Sequence, residues 1–287
     1  RCQQLLAAAE SMQVSSQQTE NGSQLVDCGI SNAGSLLAGV ALAEICLAGL
    51  GTGTLESAQP PVWSGEAVKV VTDEPIWACM ASQYAGWKIS VDDYFAMGSG
   101  PMRAAWAGEE LFQVLDYQEQ ASRIVGVLET RDLPTAAVCN QIAQDCRVEA
   151  SELTLLVAPT ASLAGTVQVV ARSLETALHK MHVLGFDLAS VVRGTGTAPL
   201  PPVAPDDLTA IGWTNDAVLY GATVTVWVRG DDQRIGELGA QIPSNASSDF
   251  GRPFQQIFES YDRDFYKIDP HLFSPASVQL VNVETDV

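Results

Sequence analysis

Positive charge is scarce in this sequence. Its 287 residues include 15 Lys and Arg against 34 Asp and Glu, which leaves a formal net charge of −19. An acidic balance of this size repels phosphate backbones and anionic membrane surfaces. We therefore expect neither nucleic acid nor a membrane as a partner. Charged residues make up only 17% of the chain against 47% apolar residues, and this composition excludes a disordered protein.

Paired cysteines and long apolar runs are also lacking. The six cysteines contain no C-x-x-C pair, and a chain with a core of its own needs no disulfide framework. They are Cys2, Cys28, Cys46, Cys79, Cys139 and Cys146. We expect buried thiols in a reducing compartment, and hence a cytoplasmic protein. The longest apolar run, 36–53, is interrupted by Glu44, and its small residues suit a packed interior helix rather than a membrane span.

Several common motifs of catalysis and metal binding are missing. The sequence has no P-loop, no H-E-x-x-H, no EF-hand loop and no G-x-S-x-G elbow. Gly49, Gly51 and Gly53 are spaced wrongly for a Rossmann loop and follow a predicted helix instead of a strand. His179 and His182 lie three residues apart, a spacing that holds a metal when a third ligand joins them and otherwise marks a polar helix face. We expect no metal.

Helical and strand patterns alternate along the chain without a repeat, which predicts an α+β protein with a mixed α/β body. Apolar spacing and capping residues predict helices at 1–18, 32–48, 135–145, 162–184, 233–240 and 253–261. Short apolar runs predict strands at 24–28, 67–71, 122–128, 154–157, 222–228 and 277–283. Pro60 and Pro61 predict an extended loop.

The predicted helix 162–184 carries the most informative pattern. Its apolar face, which should be buried, consists of Val167, Val170, Ala171, Leu174, Ala177, Leu178 and Met181. Gln168, Arg172, Glu175 and His179 follow at offsets of four, three and four, so they form one polar stripe in which Arg172 and Glu175 can touch. A surface ion pair worth roughly a few tenths of a kcal/mol is one interpretation. A ligand site is the other, because the small residues at 158–165 suit a backbone that approaches a ligand.

Four further segments combine small, polar and aromatic residues in predicted loops: 78–87, 95–103, 212–217 and 264–270. The first two offer flexible backbone, hydroxyls and rings that could surround a flat heterocycle. The last two offer amide and charged groups. Each segment alone is more often structural than functional.

Nine strings, taken together, resemble a known family. They are D-C-G at 27–29, L-A-E-I-C at 42–46, A-S-Q-Y-A-G-W at 81–87, M-G-S-G-P-M-R at 97–103, A-P-T-A-S-L-A-G at 158–165, A-R-S-L-E-T-A at 171–177, T-N-D-A at 214–217, D-F-Y-K-I-D-P at 264–270 and L-F-S-P-A at 272–276. The chain resembles the methenyltetrahydromethanopterin cyclohydrolases, one-carbon enzymes of methanogens and methylotrophic bacteria. The strings span nearly the whole chain, which makes the resemblance more specific than any single motif.

The resemblance implies an architecture of two α/β lobes around a deep pterin pocket, assembled as a cytoplasmic homotrimer without metal or cofactor. We place the N-terminal lobe at 1–157 and the C-terminal lobe at 158–287, the latter beginning with the helix of Arg172 and Glu175. Intertwined lobes are the alternative.

The resemblance also implies the site residues. Arg172 and Glu175 match the catalytic pair, with Glu175 expected to activate water and shuttle a proton, and Arg172 expected to orient it and keep it charged. The implied substrate-binding residues are Ser82, Gln83, Tyr84, Ser99, Thr160, Asn215 and Lys267. Trp213 departs from the family, since a basic residue is expected there, and this puts an anion anchor at that position in doubt. Among the few cations, Arg172, Lys267 and Arg103 become the most informative.

The implied reaction is the reversible hydrolysis of the cyclic cation of 5,10-methenyltetrahydromethanopterin to the N5-formyl derivative. An acidic protein is compatible with a cationic substrate. Three alternatives stay open at this point: a non-catalytic pterin-binding paralogue, a cyclohydrolase that acts on the folate carrier, and a polar stripe that is merely a solvated helix face.

Overall fold

The computed structural model describes residues 1–58 and 64–285, so the loop predicted at Pro60 and Pro61 lies outside the described residues. The helices are α1 (Cys2–Ala7), α2 (Ala9–Met12), α3 (Leu36–Cys46), α4 (Pro101–Trp106), α5 (Leu111–Leu115), α6 (Ala136–Asp145), α7 (Leu163–Val170), α8 (Ser173–Val183), α9 (Asp207–Gly221), α10 (Asp232–Gly239) and α11 (Phe254–Ser260). The strands are β1 (Ser15–Gln18), β2 (Gln24–Asp27), β3 (Gly51–Ser57), β4 (Glu66–Thr72), β5 (Trp87–Val91), β6 (Tyr94–Ser99), β7 (Ile124–Glu129), β8 (Leu153–Val157), β9 (Val191–Pro199), β10 (Thr223–Val228) and β11 (Ser277–Asn282). These helices and two mixed sheets confirm the predicted α+β class.

The chain forms two compact units, and each is built from two stretches of sequence. The first comprises Arg1–Gly49 and Trp77–Gln168, and the second comprises Leu50–Ile76 and Val169–Val287. The lobe division expected at residue 157 stays a prediction.

The sheet of the first unit is covered on both faces. Its strands lie in the order β1-β2-β8-β7-β6-β5, with β2, β8 and β7 parallel to one another. Successive side chains of a strand point to opposite faces. Leu155 accordingly packs in the core cluster that contains α6, and Leu156 packs in the cluster that contains α3. Helix α3 begins after Ser35, whose hydroxyl oxygen accepts a hydrogen bond from the Ala38 N–H at 3.0 Å.

The second unit contains a five-stranded sheet with the order β11-β10-β9-β4-β3. Strands β10 and β11 are parallel, and the other neighbours are antiparallel. Helix α8 packs on β9 and β10, where Val224, Val226 and Val228 are all fully buried. A second core cluster joins α9 and α11 around Phe254.

One predicted helix is wrong in a way that matters for the site. The helix expected at 162–184 is two helices, because the chain turns at Ala171 and Arg172 between α7 and α8. Val167 of α7 packs against α3, where a Cβ at Gly39 would lie 2.5 Å from the Val167 Cβ. Leu174 of α8 packs instead against β9 of the second unit. The polar stripe from Gln168 to His179 is therefore interrupted.

Other boundaries also differ from the sequence predictions. The helix expected at 1–18 is two short helices, α1 and α2, and helical structure ends at Met12, because Ser15–Gln18 pairs with β2 as an exposed edge strand. The predicted loop at 78–87 contains the end of a π-helical segment, Ile76–Gln83, and the predicted loop at 95–103 contains the end of β6 and the start of α4. The segment 212–217 lies inside α9, which Asp206 caps by accepting from the Thr209 N–H at 2.9 Å.

The apolar run at 36–53 folds as α3 followed by the start of β3. Among the residues that the structure describes, no helix is long and apolar enough to cross a membrane. All six cysteines are free thiols and, apart from the half-buried Cys2, all are buried, as predicted.

Candidate active site

Arg172 and Glu175 lie at the start of α8, and both are almost completely buried. Arg172 is the N-cap residue and is 6% exposed, while Glu175 lies in the first helical turn and is 4% exposed. A solvated helix face would leave both side chains open to water. That alternative is therefore wrong, and so is the interpretation of the two residues as an ordinary surface ion pair.

Strand β9 holds the first turn of α8 in place. A Cβ at Gly196 would lie 2.6 Å from the Ser173 Oγ and 2.9 Å from the Leu174 backbone nitrogen. Only a residue without a side chain lets strand and helix approach this closely. The sequence analysis did not select Gly196, although the string R-G-T-G-T at 193–197 is an available signal for close backbone contact.

The position of Glu175 in the first turn suits a negative charge. The unpaired N–H groups of a helix N-terminus and the helix dipole stabilise an anion placed there. Five residues further along α8, Lys180 is 0% exposed and donates from Nζ to the His271 carbonyl at 2.7 Å. Burial lowers the pKa of Lys180 to about 8, against the opposing effect of the Asp269 carboxylate.

In the first unit the structure brings Ser82 and Ser99 together around Cys46. The Ser82 hydroxyl donates to the Cys46 carbonyl at 2.7 Å, and the Cys46 Sγ lies 3.4 Å from the Ser99 Oγ. The same sulfur lies 3.9 Å from the Gln168 Oε1, and the Gln168 amide donates to Glu129 at 2.9 Å. Cys46, Ser82, Ser99 and Gln168 form a buried polar cluster, with the half-buried Glu129 at its edge. The sequence analysis placed Gln168 on the polar stripe and did not select Glu129.

The other predicted residues of the first unit are also inaccessible or partly so. Gln83 is fully buried, Tyr84 is half-buried and Thr160 is buried. The carbonyl of Thr160 accepts a hydrogen bond from the Thr166 hydroxyl at 3.2 Å. The tight string at 158–165 is a turn that begins α7, because the Ser162 hydroxyl accepts from the Gly165 N–H at 3.0 Å.

In the second unit, Asn215 and Lys267 differ in their surroundings. The Asn215 amide donates to the Ile211 carbonyl of its own helix at 2.8 Å. Lys267 is exposed, and its Nζ pairs with the exposed Asp262 carboxylate at 3.2 Å. An exposed ion pair of this kind is screened by water and adds little stability.

A cavity of about 570 Å³ lies within the second unit. Its walls include Trp213, Asp216, Tyr220 and Arg252 together with several prolines. Burial raises the pKa of Asp216, although its carboxylate accepts from the Phe254 N–H at 2.8 Å. Among the described residues, the lining of this cavity includes none of those that the sequence analysis assigned to substrate binding. The deep pterin pocket therefore stays a prediction.

The part of the chain that the structure describes adds no further metal ligand to the histidine pair on α8. Within the described residues, no group of three or more His, Cys, Asp or Glu side chains is placed to hold an ion, and His179 and His182 are both half-buried.

Comparison with known proteins places the chain in a family. A family model described as Cyclohydrolase (MCH) matches residues 1–287. A methenyltetrahydromethanopterin cyclohydrolase of Xanthobacter autotrophicus is 47% identical over 281 residues, which cover 98% of this chain and 83% of that protein. Proteins of the same name are 44% identical in Methylobacillus flagellatus, over 98% of this chain and 86% of theirs, and 40% identical in Methanospirillum hungatei, over 95% and 86%. The chain therefore belongs to the methenyltetrahydromethanopterin cyclohydrolase family.

Proposed function

We propose that this protein hydrolyses the cyclic cation of 5,10-methenyltetrahydromethanopterin reversibly to N5-formyltetrahydromethanopterin. The family match over the whole chain supports the reaction. The observation that carries the site is the burial of an arginine and a carboxylate together in the first turn of one helix. Buried charges are expensive, so their presence at a helix end favours a chemical task over a purely structural one.

The first step is the addition of water to the methenyl carbon, which bridges N5 and N10 and is electrophilic because it shares their positive charge. Glu175 accepts one proton from the water as the oxygen bonds to this carbon. The cation and the water then form a neutral carbinol, and Glu175 carries the proton.

The second step breaks the bond between this carbon and N10. Glu175 returns its proton to N10 as the bond cleaves, and the carbinol hydroxyl loses its proton to solvent as the formyl C=O forms. One water is consumed and one proton is released overall. A single carboxylate thus serves both transfers, which is why one glutamate is sufficient.

Arg172 keeps the Glu175 carboxylate ionised and oriented toward the substrate. An opposite charge one helical turn away favours the ionised carboxylate. The helix N-terminus acts in the same direction. The negative charge of Glu175 also favours the cationic substrate near it.

The decisive variant is Glu175→Gln, which keeps the size of the side chain and removes its basicity. We expect turnover, followed by the absorbance of the methenyl cation, to fall by about 10²- to 10⁴-fold. Glu237→Gln on the exposed face of α10 is the matched control and should keep wild-type turnover. Full activity in Glu175→Gln would refute its role as the base. Wild-type turnover in Arg172→Ala would reduce Arg172 to a structural partner.

The same assay separates the alternative functions. A wild-type protein that binds the pterin without turning it over would be a sequestering paralogue. A higher kcat/KM for the folate carrier than for the methanopterin carrier would identify the folate as substrate. We further propose a cytoplasmic homotrimer that needs no metal or cofactor, as the family resemblance implies. Sedimentation of the purified protein tests the trimer, and turnover after dialysis against a chelator tests metal independence.

A further inference from the structure

A completely buried arginine lies beside the segment that carries Ser82, Gln83 and Tyr84. Arg103, on α4, is 0% exposed. Its guanidinium donates to both carboxylate oxygens of Glu109, from Nε at 2.6 Å and from Nη2 at 2.8 Å. A two-pronged pair of this geometry offsets much of the cost of burying the charge. Arg103 is therefore committed to Glu109 and does not serve as an anchor for an anionic substrate group.

The remaining nitrogen of this guanidinium holds the backbone before Ser82. Arg103 donates from Nη1 to the Met80 carbonyl and, at 3.0 Å, to the Ala81 carbonyl. Both carbonyls belong to the π-helical segment Ile76–Gln83, near its end, where helix carbonyls lack partners within the helix. The Tyr84 ring lies over the same guanidinium, with 4.7 Å between the ring centroid and the guanidinium carbon.

Gly86 leaves the space that this pair requires. A Cβ at position 86 would lie 2.2 Å from the Glu109 Oε2 and 2.7 Å from the Tyr84 ring. The conformation of the string A-S-Q-Y-A-G-W is therefore constrained at two points. Arg103 holds the backbone before Ser82, and Glu109 lies against the backbone at Gly86, after Tyr84.

We propose that the Arg103–Glu109 pair is a positioning device that sets the conformation of residues 82–84 for substrate binding. This inference rests on the proposed function, which assigns Ser82, Gln83 and Tyr84 to the substrate. Arg103 is inaccessible to a ligand, so it acts only through the segment that it holds. A π-helical turn is a rare conformation that is found frequently at functional sites.

The physical consequence is a selective loss of substrate affinity. Glu109→Gln keeps the side-chain shape but turns one acceptor of the arginine into a donor, so the guanidinium loses half of its pairing. Gly86→Ala forces the Glu109 carboxylate away by its methyl group and also presses on the Tyr84 ring, so Glu109→Gln is the variant that tests the pair alone. We expect each change to raise KM at least about tenfold, while kcat stays within about threefold, because Arg172 and Glu175 are unaltered.

If the Arg103–Glu109 pair only stabilised the fold, the variants would show a different change in kcat and KM. Destabilisation lowers the fraction of active enzyme, which reduces the apparent kcat and leaves KM unchanged. Leu5→Ala is the control for this effect, because it truncates a core residue of the first unit that is 1% exposed and packs in another cluster. Stability of every variant is measured by urea unfolding beside the kinetics.

The double variant Gly86→Ala/Glu109→Asp supplies a rescue. The shorter aspartate withdraws from the added methyl but keeps the negative charge, so the part of the KM increase that comes from the displaced carboxylate should be reversed, while the part that comes from the Tyr84 contact remains. Unchanged KM in Glu109→Gln of a working enzyme would overturn the inference, whatever the KM of Gly86→Ala. Absence of turnover in the wild type would instead refute the proposed function, and this inference with it.

Discussion

The carboxylate of Asp27, at the end of β2, organises the loop that leads toward α3. The Asp27→Asn variant measures how much this carboxylate contributes to the stability of the fold. Its Oδ1 accepts from the N–H groups of Gly29 at 3.0 Å and Ile30 at 2.7 Å. Its Oδ2 accepts from the Ser31 N–H at 2.8 Å and the Asn32 amide at 3.0 Å. The residue is 5% exposed, so water does not replace a lost partner readily.

The magnitude follows from the two bonds that asparagine cannot make. In the Asp27→Asn variant the introduced amide group would keep one oxygen but would place its NH₂ opposite two donors, the Ser31 N–H and the Asn32 amide. Hydrogen bonds to a charged group contribute about 1.5–3 kcal/mol each. Rotation of the Asn32 amide recovers part of this loss, and we expect the free energy of unfolding to fall by about 3 kcal/mol.

The effect should depend on pH. Burial raises the pKa of Asp27, but the hydrogen bonds from Gly29, Ile30, Ser31 and Asn32 outweigh it and hold the pKa below its ordinary value of 3.8. A lowered pKa stabilises the fold above the pKa of the unfolded chain, and this stabilisation is lost as the pH falls through the folded-state pKa. The difference in free energy of unfolding between the wild type and Asp27→Asn should therefore decrease as the pH falls.

Urea unfolding at neutral pH and at several acid pH values measures both effects. Asp132→Asn is the control, because Asp132 is an exposed carboxylate of the same unit. This account of the loop would be refuted if Asp27→Asn lowered the free energy of unfolding by less than about 1 kcal/mol at neutral pH. It would also be refuted if the difference between the two proteins did not decrease below about pH 4.

Two further predictions concern α8. Lys180 has its pKa lowered from 10.5 to about 8, so the unfolded chain binds more protons between these values and stability should rise with pH by about 3 kcal/mol across this window. In urea unfolding, Lys180→Met should abolish this increase in stability with pH. An increase that persists in the variant would contradict the prediction. Gly196→Ala should displace the first turn of α8 and lower kcat at least about tenfold. Gly236→Ala, which meets nothing within 4 Å, is its control and should leave kcat unchanged; equal kinetics in both variants would exclude the proposed role of Gly196.

Much of the fold was predictable because its signals are local. The strand β8 is a short apolar run, and α6 begins after Thr135, whose hydroxyl oxygen accepts a hydrogen bond from the Val138 N–H. Strand β9 and helix α9 were missed. Strand β9 reads V-V-R-G-T-G-T-A-P, in which glycines and a terminal proline are poor strand formers, and only its pairing with β4 and β10 makes it a strand.

The candidate site was predictable in part for a related reason. Arg172 and Glu175 stand at helical spacing in a string that matches the family, and their burial agrees with a functional position. The role of Arg103 was not predictable, because its partner Glu109 and the Met80 and Ala81 carbonyls approach it only after folding. In the sequence, Arg103 stood out only as one of the few cations.

The sequence by itself determined the α+β class, the acidic net charge and the membership in the cyclohydrolase family, because composition, periodicity and long strings can be read without coordinates. Tertiary structure alone decided that the predicted long helix breaks at Ala171 and Arg172, and that Glu175 is buried in a first turn instead of solvated along a stripe. The physical reason is packing. Helix periodicity assigns a residue to a face, but what covers that face depends on distant strands, such as the one in which Gly196 admits the first turn of α8.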